Sequence, residues 1–179
     1  SDGAGLRVQA AGAALTTLTS TAVTLGTSGA TTLTFDFNSL DTTAALISTG
    51  VFTANGTLNV SLLNPALLTS GSHTLTGYTS FAGSGAFSGS PFSLGPRSSA
   101  TLVNNGTDAL LLNVTSDTPE WTGLDNGNWV VGSTGANDNW KLVTAGTPTN
   151  YIEGDTVLFN DTAAGTTAID ISAANVSPG

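Results

Sequence analysis

The chain reads as an all-β protein. Its body is either a β-solenoid of the parallel β-helix kind or a β-sandwich, and a smaller Trp-containing β module follows at the C-terminal end. Three observations point there. Leu33, Phe35 and Phe37 alternate with Thr32, Thr34 and Asp36, and Leu58, Val60 and Leu62 alternate with Asn59 and Ser61, which is the pattern of strands with one buried and one wet face. Between the two runs stand Gly50 and the Asn55-Gly56 pair, residues that favour tight turns. Charge is scarce: 8% of residues are charged and 39% hydrophobic, where ordinary globular chains carry about 25% charge. Thr, Ser, Asn and 22 Gly fill the difference, and these are strand and turn residues.

Taken in order, Leu6, Val8 and Ala10 make a first short strand run and Val23 and Leu25 a second. A helical turn over Ala10–Leu18 is opposed by the β-branched threonines around it. Ala44 to Ile47 leads into Ser48-Thr49-Gly50, read as a strand entering a turn. Asn64 to Ser70, with Pro65, reads as a short helical turn; His73 to Phe81 is a strand; Ala82 to Ser90 is a Gly/Ser-rich loop anchored by Phe87. Phe92 and Leu94 form a brief strand before Gly95-Pro96. Ser99–Val103, the turn Asn104-Asn105-Gly106 and Ala109–Val114 form a hairpin, with Leu110, Leu112 and Val114 on one face and Leu111 on the other. Composition then changes. All three tryptophans and the only lysine lie beyond Pro119, which puts a border between a body of residues 1–117 and a module of residues 118–179. The module is expected to hold strands at Trp129–Val131, Trp140–Val143, Thr156–Phe159 and Ala168–Ile171.

Stacking is what such segments need. Burying an apolar side chain gains about 1.5–3 kcal/mol, while fixing one residue's backbone costs about 1–2 kcal/mol. A ten-residue strand pair alone is unstable, and an array of like neighbours is the remedy. No fixed repeat period survives counting along the chain.

Composition also excludes function classes. The net charge is −9, with Arg7, Arg97 and Lys141 as the only basic residues, which argues against phosphate-backbone binding and against docking on anionic membranes. No run reaches the roughly 18 apolar residues of a spanning helix. Without Cys there is no disulfide framework or thiolate metal site. The chain opens on Ser1 and is read as a processed or excised piece of a longer precursor.

Two stretches resemble passenger regions that carry the autotransporter-associated β-strand repeat of large bacterial surface proteins. The first is TLTFDFNSLDTTAALISTGVFTANGTLNVSLL followed by SGSHTLTGYTSFAGSGAFSG. The second is TPEWTGLDNGNW, then DNW, then YIEGDTVLFND. Together they span residues 31–179, with His73 where a tyrosine is more usual in that family. The resemblance implies an extracellular β-helical or β-sandwich structural segment and brings no catalytic residues.

Several groups merit weighing. His73 is the only histidine, so a triad or imidazole metal site lacks companions, and a polar residue at a strand end is the reading taken. Asp125, Asn126, Asn128, Asn137, Asp138 and Asn139 make two oxygen-rich turns beside the tryptophans. A Ca2+ ion would draw on Asp125, Asn128 and Asp138, since it takes six to eight oxygens; the spacing matches no EF-hand, and turn capping by Asx side chains is the competing reading. Asn160, Asp161 and Asp155 belong to the same argument. Glu120 and Glu153 are the only glutamates; with Asp155 they could pair for glycoside hydrolysis, and a solvated turn around Gly154 is preferred. Trp121, Trp129, Trp140, Tyr151 and Phe159 are either a sugar-binding platform or a module core, with the core preferred. Asn55, Asn59, Asn105, Asn113, Asn160 and Asn175 open Asn-x-Ser/Thr sequences, of interest where exported proteins are glycosylated.

The functional expectation is an extracellular or cell-surface, non-enzymatic building block of a fibre, stalk or adhesin. It would need no cofactor and would assemble as a homopolymer, end to end, through β-strand pairing. Glycan or cell-surface contact is expected; nucleic acid and membrane insertion are not. The alternative is a carbohydrate-binding module or a β-helical polysaccharide-processing protein.

Overall fold

A computed structural model describes all residues except 1–2, 11–16, 39–41, 66–67, 136–137 and 173. The described residues form strands and no helix, and none of the sheets closes into a barrel. The chain divides into two compact units: Ser1–Leu94 with Ser99–Thr115, and Gly95–Ser98 with Ser116–Gly179. Sequence reading had put the border at 117/118 and left Gly95–Ser98 in the first body.

The first unit begins with seven strands: β1 (Gly5–Gln9), β2 (Leu18–Leu25), β3 (Ala30–Asp36), β4 (Ile47–Ala54), β5 (Thr57–Leu63), β6 (Gly71–Ala82) and β7 (Ala86–Ser88). They alternate between two sheets. The odd-numbered strands make a four-stranded sheet in the order β1-β3-β5-β7, and β2-β4-β6 begin a six-stranded one. All of these pairings are parallel. Gly5 pairs with Thr32 and Ala30 with Thr57, 27 residues on in each case. Leu18 pairs with Ile47 and Ile47 with Thr76, 29 residues on. The six-stranded sheet is completed by β8 (Phe92–Gly95), β9 (Ser98–Asn104) and β10 (Ala109–Ser116), in the order β6-β10-β9-β8, and β10 runs antiparallel to β6.

Both sheets feed one hydrophobic cluster. Period-two alternation places Leu33 and Phe35 of β3 and Leu58 and Val60 of β5 inside, all but Val60 with no exposed surface. Parallel register then lays like on like: Leu33 lies beside Val60, and Phe52 beside Phe81. Phe52, Tyr78, Phe81 and Phe87 pack with ring centroids 5.7–6.4 Å apart, the range in which aromatic pairs add about 0.5–1.5 kcal/mol beyond area burial.

Two expectations need correction. Gly50 is not a turn: it lies inside β4. Ile47 and Thr49 point inward before it and Phe52 and Ala54 after it, so the inward phase shifts by one residue there. The ladders on both sides step over this position, from Thr49 to Val51, as at a bulge. A Cβ on Gly50 would stand 2.6 Å from the Thr21 carbonyl oxygen, which leaves glycine as the residue that fits. Likewise Ala82–Ser90 is not simply a loop, because β7 within it continues the parallel sheet and sets Phe87 beside Leu58. The expected helical turns at Ala10–Leu18 and Asn64–Ser70 fall largely on residues outside those described. Where Pro65 is described, its carbonyl accepts the Leu68 N–H at 3.0 Å.

The bend at Asn55-Gly56 is as read. Gly56 has φ +64, and a Cβ there would sit 2.2 Å from the Gly29 carbonyl oxygen of the turn beneath. Turns stack this closely because backbone bonds link them: Asn55 N–H donates to the Leu25 carbonyl at 2.9 Å and Ala86 N–H to the Gly56 carbonyl at 2.9 Å.

Asp36 is fully buried. It is held by the Arg7 guanidinium, by Asn64 Nδ2 at 2.8 Å and by the Asn38 N–H at 3.0 Å. Arg7 stands on β1, Asp36 on β3 and Asn64 just past β5, so one carboxylate ties three consecutive strands of a sheet.

The second unit is smaller. It contains β11 (Pro119–Trp121), β12 (Trp140–Leu142) and β13 (Pro148–Thr149) in an antiparallel sheet. Of the expected strands here, only Trp140–Val143 forms as a strand. Trp129–Val131, Thr156–Phe159 and Ala168–Ile171 are represented by isolated bridges at Asn128–Asp170, Val131–Tyr151 and Glu120–Leu158. Close glycine approaches take the place of ladders: Cβ atoms built on Gly123 and Gly165 would lie 2.0 Å from the Thr166 and Gly123 carbonyl oxygens respectively.

Gly56→Ala is expected to destabilise the first unit by at least about 1–2 kcal/mol, the cost of a Cβ at positive φ, read as a lowered midpoint in far-UV circular dichroism. Arg7 above all, then Asn64 and the Asn38 N–H, hold the Asp36 carboxyl below its ordinary 3.8 against the opposing effect of burial. The folded chain therefore takes up this proton less readily than the unfolded one. The resulting stability is complete above pH about 4 and is lost as the pH falls through 3.8 and below. A denaturant midpoint that falls in this range in the wild type, and falls less in Asp36→Asn, is the expected result.

Candidate functional site

The tryptophans of the second unit lie inside it. Trp121, Trp129, Trp140 and Tyr151 are each 8% exposed or less. Trp140 meets Trp121 and Trp129 edge-to-face, with centroids 5.0 and 5.3 Å apart. Phe159 leans on all three tryptophans while remaining 44% exposed. A sugar-stacking platform needs flat aromatic faces turned to solvent; here one ring of five offers one.

The oxygen-rich turns are organised by a residue that sequence reading gave no special weight. Asn139 has no exposed surface. Its Oδ1 accepts the N–H groups of Asp125 at 3.1 Å and Asn126 at 2.9 Å, and its Nδ2 donates to Asn126 Oδ1 and to the Asn128 carbonyl, both at 3.0 Å. One side-chain amide thus replaces the backbone partners that a tight turn beside Trp129 and Trp140 cannot otherwise find. Asp125 and Asn128 come together around Asn139. Asp138 turns to Ser133 and Thr134, accepting the Ser133 hydroxyl at 2.6 Å and the Thr134 N–H at 3.0 Å. Asp125 Oδ2 accepts Asn126 Nδ2 at 2.7 Å. These are Asx-turn contacts, and among the described residues no three His, Cys, Asp or Glu side chains gather as metal ligands do. Asn137 lies outside the described residues. Asn160 and Asp161 are exposed, and Asn160 serves Glu120.

Each of the three basic residues faces a buried carboxylate. Besides the Arg7–Asp36 pair, Arg97 Nε donates to Asp155 Oδ2 at 2.8 Å, and Lys141 Nζ lies 2.7 Å from Glu120 Oε1. The turn around Gly154, expected to be solvated, is half otherwise. Asp155 is 2% exposed and also accepts the Ile152 N–H at 3.0 Å, while Glu153 is exposed and accepts the Ser177 N–H at 2.9 Å. Glu153 and Asp155 are thus committed to different backbone segments and not to a shared substrate position. Glu120 is 7% exposed. Lys141 above all, then Asn160 through Nδ2 at 3.0 Å, hold its carboxyl below the usual range. Pairings such as Arg97–Asp155, separated by 58 positions, leave no local mark in a sequence. The unit's entry was missed for the same reason: Asp117 accepts the N–H groups of Thr118 and Thr144 at 2.9 Å and Ala145 at 3.0 Å.

His73 is 1% exposed, in the third position of β6 and not at a strand end open to water. Its Nδ1 lies 2.7 Å from the Thr42 carbonyl oxygen and its Nε2 2.8 Å from that of Thr69, so the ring ties two connecting segments to the sheet. In the described part of the first unit the surface with most unused bonding capacity is a pair of sheet edges. β1 and β2 are the outermost strands on one side. β2 reads LTSTAVTL, without charge or proline, and Leu18 is 42% exposed. The outermost strands on the other side, β7 and β8, have three and four residues. No family model, curated protein or solved structure matches the chain.

Breaking a buried ion pair from one side strands the other charge, at about 3–5 kcal/mol. The Arg97 and Asp155 side chains are 12% and 1% exposed, so Arg97→Met is expected to cost the second unit that amount. Tryptophan emission reports on it directly, because all three tryptophans lie in this unit.

Proposed function

We propose that this chain is a non-enzymatic structural segment of an extracellular or cell-surface fibre, stalk or adhesin, and that its first unit is a short β-solenoid whose copies join end to end by strand pairing. The carrying observation is the contrast between sheet edges. β1 and β2 together expose backbone along 13 strand residues, five and eight, with Arg7 as their one charged side chain. Proteins that avoid edge pairing guard such strands with lysine, proline, bulges or short length, and on this side only the shortness of β1 does so. Parallel register of like side chains, already used from β1 to β7, is the geometry an added strand would continue. The resemblance to autotransporter passenger repeats and the weakly charged Thr/Ser/Asn surface support the same reading. A carbohydrate-binding or polysaccharide-processing role finds less support, since the tryptophans are interior and every cation faces a carboxylate.

Light scattering and electron microscopy of the purified chain test this. Elongated assemblies that lengthen with concentration are expected. Ala22→Lys, which puts a charge on an exposed position of the β2 edge, should return the chain to single particles without changing its circular dichroism. Single compact particles of the wild type at high concentration would refute the reading.

A further inference from the structure

Glu120 does more than neutralise a lysine. It stands on β11 directly opposite Lys141 of β12, and on its other side it bridges in parallel to Leu158, two residues before Asn160. Three neighbouring segments therefore converge on one carboxylate. Lys141 Nζ lies 2.7 Å from Oε1, and Asn160 Nδ2 donates to Oε2 at 3.0 Å. The Asn160 carbonyl is engaged as well: Oδ1 accepts the N–H of Thr162 at 3.0 Å and its hydroxyl. β11 is buried along its length, between the rings of Trp121 and Trp140 on one flank and Pro119 on the other.

An amine, a side-chain amide, a carboxylate touching both and two donors on the amide oxygen are the full set of parts for amide exchange. We propose that Lys141 and Asn160 form an intramolecular isopeptide bond in the folded chain, with Glu120 as general base and acid. Glu120 Oε1 takes a proton from the Lys141 ammonium. The freed amine attacks Cγ of Asn160, and the negative charge that develops on Oδ1 is met by the two Thr162 donors, as in an oxyanion hole. Glu120 delivers its proton to Nδ2, the Cγ–Nδ2 bond breaks, and a new Cγ–Nζ amide remains. The surplus proton of Nζ leaves with the departing nitrogen, so ammonium is released and Glu120 ends as it began. No oxidant, metal or second substrate enters the balance. Attack needs Nζ within about 3–3.5 Å of Cγ. Both groups already hang on opposite oxygens of one carboxylate, and the flexible stem of Lys141 supplies the remaining adjustment. Proton transfer by a positioned side chain and intramolecular proximity are the two contributions that make an otherwise inert amide react. The bond would lock β12 to the segment after Leu158 covalently, in a unit held elsewhere by isolated bridges. The inference does not depend on end-to-end assembly.

Mass spectrometry of the whole denatured chain decides it. The expected mass is one ammonia below that of the sequence, and Lys141→Arg and Glu120→Gln should each show their full sequence mass while keeping the native tryptophan emission. Digestion of the denatured wild type by trypsin gives a second reading that needs no variant: cleavage after Arg7 and Arg97 but not after Lys141. A wild type that keeps its full mass after prolonged incubation in the folded state, and is cut at Lys141, overturns the proposal. So does an ammonia loss that persists in Lys141→Arg, which would mark a cyclic imide at an asparagine.

Discussion

A strand with one greasy face and two rows of unpaired amides is stable only against a neighbour that completes both, and the first unit is arranged around that constraint. Parallel pairing 27 or 29 residues on satisfies it twice over. The backbone ladder uses the N–H and C=O groups, and in-register stacking sets Leu33 beside Val60 and Phe52 beside Phe81. No single strand has enough apolar side chains to offset its own ordering. Neighbours that share one cluster do, which is why the core runs from Val8 of β1 to Val114 of β10 without a break between the sheets.

Close stacking has consequences for the rest of the composition. Turns that lie on one another at van der Waals distance admit no side chain at Gly56, and the step in the ladder admits none at Gly50. The abundance of glycine is thereby a packing requirement and not a sign of looseness. Scarcity of charge has a structural counterpart too. With three cations in the whole chain, each is placed on a carboxylate that would otherwise be buried alone: Asp36, Asp155 and Glu120. Such pairs add little net stability over an apolar alternative, but removing one partner is costly. They act as fixed points at which segments distant in sequence are brought together.

Much of this was legible beforehand. Alternation identified β3 and β5 to the residue, the Asn-Gly step identified the β9–β10 hairpin, and the tryptophans marked the smaller unit. What escaped did so for physical reasons. A bulge at Gly50 and a turn at Gly50 demand the same residue, since both need a position without Cβ; only the inward phase, Thr49 before and Phe52 after, distinguishes them. β7 is three residues between Gly/Ser flanks, and Phe87 looked like a lone anchor because its partner, Leu58, lies 29 positions back. The repeat failed to show on counting because the two sheets advance by different steps, which smears any single period. In the oxygen-rich turns the sequence named the residues, yet Asn139 was indistinguishable from its neighbours, as burial and not identity makes it the organiser. Ion pairs such as Arg97–Asp155 depend on tertiary placement and have no spacing rule to betray them.

The central claim is that consecutive strands of the first unit do not pair with each other but with the strand two further on, in parallel. Nuclear Overhauser effects between backbone protons test it most directly. Cross-strand contacts joining Leu33 with Val60 and Ser48 with Gly77 are predicted. An antiparallel set joining β4 to β5 across the Asn55-Gly56 bend, as in a simple meander of hairpins, would contradict it.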